Sequence, residues 1–269
     1  MSKKNLFISN LGWKHYDFEK ILKLLKKYNI KGIDIAPIQL SNKWKNIEEK
    51  LKKFQKKLKK SGIKVNAMQG IFYKTNFNLF NSDNAQKIKI YKHIKKILII
   101  SKIFKCKKII IGSSSFRNVG NLSKPEADYI FINFFKKLKP LLNRKKIYLC
   151  FETIPKNYGE NYLYEINDLV LLIKKMKSVW FKINFDTSLF HFSKFNKNTF
   201  VKNKKHIKNI QISQKKFQFF IKPNKYNLDF SKLINRDKKF NNISLEIISK
   251  KTELKKISIS LNNFRSIFN

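Results

Sequence analysis

Three carboxylates stand at the ends of apolar runs: Glu152 closes IYLCFE, Asp186 closes VWFKINFD and Glu246 closes NISLE. A single carboxylate in such a place is ordinarily a backbone cap or a rim ion pair. Three of them in a chain with only 17 acidic residues point instead to acidic groups gathered at one mouth for a hard divalent cation, which takes oxygen ligands. Two carboxylates on opposite sides of a substrate can also take a proton from carbon and return it. Most other acids, among them Glu48, Glu49, Asp168, Asp237 and Glu253, fall on predicted helices or turns and read as solvated surface.

The elements that must carry these groups are legible as alternating periods. Short β-branched runs occur at Leu6 to Ser9, Gly32 to Ile35, Lys64 to Gly70, Lys108 to Gly112, Ile147 to Glu152, Trp180 to Asp186, Ile207 to Ser213 and Ile243 to Glu246. Between them lie segments with apolar residues three and four apart, such as Phe18, Ile21, Leu22, Leu25 and Tyr28, then Ile47, Leu51, Phe54 and Leu58. Ser123-Lys-Pro-Glu reads as a helix cap with an early proline, and the glycines of KKYNIKGIDI and KKSGIKVNAM read as turn residues. Eight βα units without a long linker predict one α/β domain over 1–269, a single (β/α)8 TIM barrel, whose active groups project from the C-terminal strand ends. The least regular stretch is 190–205. The first turn, Ser9 to Trp13, carries neither GxGxxG nor GxxxxGK, so an open nucleotide-binding sheet has no support.

Charge is the most conspicuous bulk property. Sixty Lys+Arg against 17 Asp+Glu give a net charge of +43, yet only Arg117, Arg144, Arg236 and Arg265 are arginines. Lysine is spread over nearly every predicted helix and arginine, the better bidentate reader of phosphate and bases, is almost absent; the pattern is a solvated surface rather than a nucleic-acid footprint. Nonspecific attraction to polyanions follows, and the positive field is expected to keep the rare carboxylates ionised and to draw acidic substrates. Cys106 and Cys150 lack metal spacing and cannot build a disulfide scaffold. No run approaches a membrane span or a secretory signal, so a cytoplasmic protein is expected.

ISNLGW, GIDIAP, AMQGIFYKTNFNLF, IIIGSSSFRN, CFETIPKNYGENYL, INFDTSLF, IQISQ and SLEI, in that order around the eight units, resemble the xylose isomerase-like sugar phosphate isomerase/epimerase superfamily, more closely its bacterial sugar-epimerase branch. The resemblance implies a divalent metal held by Glu, Asp, His and Glu from strands five to eight. Those positions carry Glu152, Asp186, Gln211 and Glu246, with Gln211 where the family has histidine. An all-oxygen shell favours manganese or magnesium over cobalt or zinc. The activity implied is isomerisation or epimerisation of a sugar or sugar phosphate through an enediolate, with Glu152 and Glu246 as the acid/base pair. Arg117, Gln69, Lys156, Tyr158 and Trp13 are the expected substrate contacts, and Tyr73 is a further mouth residue. The missing histidine leaves open a noncatalytic or metal-impaired descendant, and the superfamily's apurinic endonucleases are a more distant alternative. Related barrels form homo-oligomers, which the lysine surface would oppose at low salt.

Overall fold

The computed structural model describes residues 4–41, 43–192 and 196–268. Its strands are β1 (Asn5–Ser9), β2 (Gly32–Ile35), β3 (Lys64–Met68), β4 (Lys108–Ile111), β5 (Tyr148–Glu152), β6 (Phe181–Asp186), β7 (Ile207–Ser213) and β8 (Asn242–Glu246). They pair in parallel in chain order and β8 pairs back onto β1, so the sheet is a closed barrel. Outside it run α1 (Phe18–Lys27), α2 (Glu48–Lys60), α3 (Asn84–Ile103), α4 (Lys124–Lys136), α5 (Lys139–Lys145), α6 (Ile166–Lys175), α7 (Lys197–Asn203), α8 (Lys225–Arg236) and α9 (Leu254–Phe268). This is a single (β/α)8 TIM barrel. The stretch 190–205 contains the end of a 3-10 turn (Thr187–His191), the seven-residue α7 and the start of a second 3-10 turn (Lys204–His206), while 193–195 lie outside the described residues.

Strands of such a barrel are buried on both faces, and here the two faces differ in chemistry. Leu149 and Phe151, Ile183 and Phe185, Ile210 and Ile212, and Ile243 and Leu245 join the large apolar cluster under the helices. The α1 stripe of Phe18, Ile21, Leu22 and Leu25 and the α2 stripe of Leu51, Phe54 and Leu58 complete that layer from outside. The alternate positions face the bore: Cys150 and Glu152, Asn184 and Asp186, Asn209, Gln211 and Ser213, then Ser244 and Glu246. Thus the apolar interior is a shell between barrel and helices, and the bore is largely polar.

Two local features locate the strands. Ser123 and Glu126 form a capping box at the start of α4, the Glu126 carboxylate accepting from the Ser123 amide at 2.8 Å. Gly32 is not a turn residue as its neighbourhood suggested. A Cβ there would lie 1.9 Å from the Lys64 carbonyl oxygen, so glycine lets β2 and β3 approach, while Asn29 (φ 54) takes the left-handed turn position. Gly62 (φ 71) does occupy such a turn, ahead of β3. Cys106 and Cys150 are free, buried thiols. Among the described residues no helix is long and apolar enough to cross a membrane.

Candidate active site

Glu152, Asp186 and Glu246 occupy the last positions of β5, β6 and β8, on the inward face of each strand. Each offers a carboxylate oxygen within 4.8 Å of the others, and all three residues are buried. Glu152 Oε2 accepts from Asn184 Nδ2 at 2.8 Å and Glu246 Oε1 from Gln69 Nε2 at 3.0 Å. Asp186 accepts from Ser213 Oγ at 2.5 Å and from the Ser188 amide at 2.5 Å. A cavity of about 290 Å³ opens above them, lined by Glu152 and Glu246 but not by Asp186. Two glutamates therefore face a substrate-sized space, and the aspartate, with no exposed surface, lies to one side of it.

Electrostatics here oppose the sequence expectation. Most lysines solvate the exterior, and among the described residues no lysine, arginine or histidine side chain forms an ion pair with any of the three carboxylates. Burial, and then the Asp186 charge, pushes Glu152 up to about 8. Burial raises Asp186 despite its hydrogen bonds from Ser213 and Ser188. Glu246 is driven well above the usual carboxylate range by burial and by the charges of Glu152 and Asp186. For all three, burial is the largest influence and acts to raise the carboxyl above its ordinary range. Three clustered carboxylates with no direct ion pair among the described residues fit a divalent cation, and an all-oxygen donor set fits a hard one.

The expected substrate contacts divide. Gln69 and Tyr158 line the cavity, together with Tyr73. Arg117 does not: it is fully buried, its Nη2 2.6 Å from Glu160 Oε2 and its Nη1 donating to the Glu152 carbonyl oxygen at 2.6 Å. It braces the end of β5 from behind. Lys156 lies outside the cavity, its ammonium 4.1 Å from the centre of the Tyr164 ring, and Trp13 is packed into the core. Gln211 faces the bore with both ends of its amide engaged, by Asn184 on one side and by Gln69 on the other. His191 lies against the Ser213 carbonyl oxygen at 3.4 Å and is not part of the carboxylate group.

Several polar bore residues escape a reading that looks only at strand ends. Asp34, Asn66, Lys108, Asn184 and Asn209 form hydrogen bonds beneath the carboxylates. For Asp34, Asn66 and Asn184 the signal is strict alternation, a polar residue between two apolar ones in GIDI, KVNAM and KINFD.

Gly112, just beyond β4, leaves room for the site. A Cβ at this position would lie 2.7 Å from Glu152 Oε2 and 2.9 Å from its carboxyl carbon. Gly112→Ala is expected to displace that carboxylate with little effect on folding. Titration calorimetry with Mn²⁺ should show affinity reduced by about tenfold, as for other disturbed ligand orientations, while the melting temperature stays near that of the parent.

The profile of the family described as Xylose isomerase-like TIM barrel matches residues 11–251. Among curated proteins no sequence relative is found. The structure is similar to 3-keto-D-glucoside 4-epimerase, YcjR, from E. coli (TM-score 0.75, 14% identity, covering 98% of this chain and 100% of that one). It is similar also to D-psicose 3-epimerase from Clostridium cellulolyticum H10, solved with D-tagatose (TM-score 0.78, 10% identity, 98% and 99% covered). A third similar structure is the IOLI protein with a bound zinc atom (TM-score 0.71, 13% identity, 98% and 99% covered). At such identities these likenesses speak to the fold.

Proposed function

Because the chain belongs to the xylose isomerase-like TIM barrel family, we propose that it is a sugar isomerase or epimerase, dependent on a divalent cation, in which Glu152 and Glu246 move the proton. The observation that carries this reading is the pair of buried glutamates facing one cavity with a third carboxylate beside them. Glu152, Asp186 and Glu246 would hold the cation, with magnesium or manganese the best match to oxygen ligands. When bound, the cation supplies fixed positive charge where negative charge develops on the substrate oxygens.

The residues of the chain do the rest. A proton beside a carbonyl is abstracted by a carboxylate base and returned by a carboxylic acid, and both roles are served best by groups that titrate near neutral pH. Burial moves both glutamates towards that range. Glu152 on β5 and Glu246 on β8 come from strands separated by β6 and β7, so one can take the proton from one face of a sugar and the other return it to the opposite face, which is epimerisation. Return to the neighbouring carbon is isomerisation. Tyr73, Tyr158 and Gln69 are at hand along the cavity wall to hold hydroxyls. A cavity of about 290 Å³ suits a monosaccharide.

A noncatalytic descendant would have no use for these carboxylates. Buried charges lacking partners destabilise a fold, and neutral replacements relieve that cost. Three such groups gathered at one mouth in so lysine-rich a chain favour an active site.

The test is direct. Chelator-treated protein should bind one Mn²⁺ per chain, and in D₂O the metal-loaded protein should wash deuterium into the carbon beside the carbonyl of a ketose, D-fructose and D-tagatose being the first probes. No binding of Mn²⁺ or Mg²⁺ at millimolar concentration would rule the proposal out.

A further inference from the structure

Beneath the carboxylates the bore holds a chain of carboxamides whose hydrogen bonds run in one direction. Lys108, the first residue of β4, has donors only, and its Nζ lies 2.5 Å from Asn66 Oδ1 and 2.7 Å from Asn209 Oδ1. Asn209 must therefore turn its oxygen to the lysine, and its Nδ2 donates onward to Asn184 Oδ1 at 2.8 Å. Asn184 then gives its Nδ2 to Glu152 Oε2 at 2.8 Å and to Gln211 Oε1 at 2.6 Å. With its oxygen so engaged, Gln211 donates through Nε2 to Gln69 Oε1 at 2.7 Å, with Asp34 Oδ2 at 3.4 Å. Gln69 finally donates through Nε2 to Ser9 Oγ at 2.6 Å and to Glu246 Oε1 at 3.0 Å.

The two ends define the polarity. An ammonium that can only donate starts the chain, and glutamate oxygens that accept finish it. Reversing any one amide sets oxygen against oxygen on one side and nitrogen against N–H on the other, so the arrangement has a single satisfied state. Its branches end on Glu152 and Glu246 and part at Asn184, with Gln211 the first link toward Glu246.

We infer that Gln211 is not a cation ligand but a link of this relay, a positioning residue that carries the polarity set by Lys108 from Asn184 to Gln69 and so fixes the N–H donor on Glu246, while Asn184 itself supplies the donor on Glu152. The consequence for turnover rests on the proposed acid-base function; the relay itself does not. With one oxygen of each glutamate engaged from below, the carboxylates keep a defined orientation toward the cavity. The strand-seven histidine of the resembled family is thus replaced here by a group with a different duty.

Two measurements test this. In protein labelled with ¹⁵N at glutamine side chains, Lys108→Met should speed hydrogen exchange of the Gln211 and Gln69 carboxamides by about tenfold, the scale of one lost buried hydrogen bond. The Gln55 carboxamide, on the outer face of α2, should not change. Asn209→Asp, nearly isosteric and able to retain Lys108 but unable to donate to Asn184 when ionised, should do the same, which guards against a misfolded methionine variant. Unchanged Gln211 and Gln69 exchange in a folded variant overturns the relay. In Mn²⁺ titrations Gln211→Leu and Lys108→Met should weaken binding to a similar extent, because both disturb the same relay while only the first removes the Gln211 oxygen; a loss in Gln211→Leu about tenfold greater than in Lys108→Met, the mark of a true ligand, also overturns the inference. If the parent protein binds no Mn²⁺, the proposed function fails and the carboxamide exchange still decides the relay.

Discussion

Glu246→Gln and Glu152→Gln should each slow deuterium wash-in by about 10²- to 10⁴-fold, the contribution of a positioned proton-transfer group. Glutamine keeps the shape of each side chain and can still accept from Gln69 at position 246 or from Asn184 at position 152, so the bore hydrogen bonds survive and the loss is one of proton transfer. The double variant should be little worse than either single one, because the two groups act on one proton in sequence. Asp186→Asn gives the contrast. Asp186 does not line the cavity, so its neutralisation should weaken Mn²⁺ binding and leave the rate at saturating metal less affected. The relevant measurement is proton-exchange NMR over a series of Mn²⁺ concentrations for all four proteins. Equal rate losses in Asp186→Asn and Glu246→Gln at saturating metal would remove the separation of roles.

The second large effect is on stability. Glu152 is raised from its ordinary 4.5 to about 8, so the folded chain retains a proton that the unfolded chain releases. The stability attached to that proton is complete below pH 4.5 and is lost as pH rises through about 8. Asp186 and Glu246 shift in the same direction. His93, His191 and His206 are lowered and act in the opposite sense, so the informative quantity is the difference from Glu152→Gln, in which those contributions cancel. Without metal, Glu152→Gln should melt higher than the parent at pH 8 and close to it at pH 5. Mn²⁺ at 100 times its dissociation constant adds about 2.7 kcal/mol to the parent at pH 8. That amounts to a rise of roughly 5–10 °C for a chain of this size, and the variant should gain less. Scanning calorimetry at the two pH values, with and without Mn²⁺, tests both signs.

The strand ends are the part of this site most legible in sequence, because each of Glu152, Asp186 and Glu246 breaks an apolar run whose length is a strand's length. The barrel is legible for the same reason: eight such runs alternate with helical stripes, and the bounds read from them match the structure within two residues, the widest gap being β3, which stops at Met68 short of Gly70. Arg117 is not legible. Its rarity marks it, but its partner Glu160 is 43 residues away, and only the folded chain brings the two together behind Glu152. Lys108 is hidden for another reason. It is one of 56 lysines, and nothing in composition separates a lysine that enters the bore from those that cover the helices. Charge on a solvated surface is screened within about 10 Å, whereas the carboxylates of Glu152 and Glu246 respond first to their burial and then to a neighbouring carboxylate.

Asp186 has two neighbours whose order depends on it. One of its oxygens caps the 3-10 turn at Thr187–His191 through the Ser188 amide, and the other takes the Ser213 hydroxyl at the end of β7. A cation seated on this carboxylate would draw on the same oxygens that hold the turn and the strand end. Occupancy of the site is then coupled to the local unfolding of the Thr187–His191 turn, so that this turn belongs thermodynamically to the centre and not to the surface loops around it.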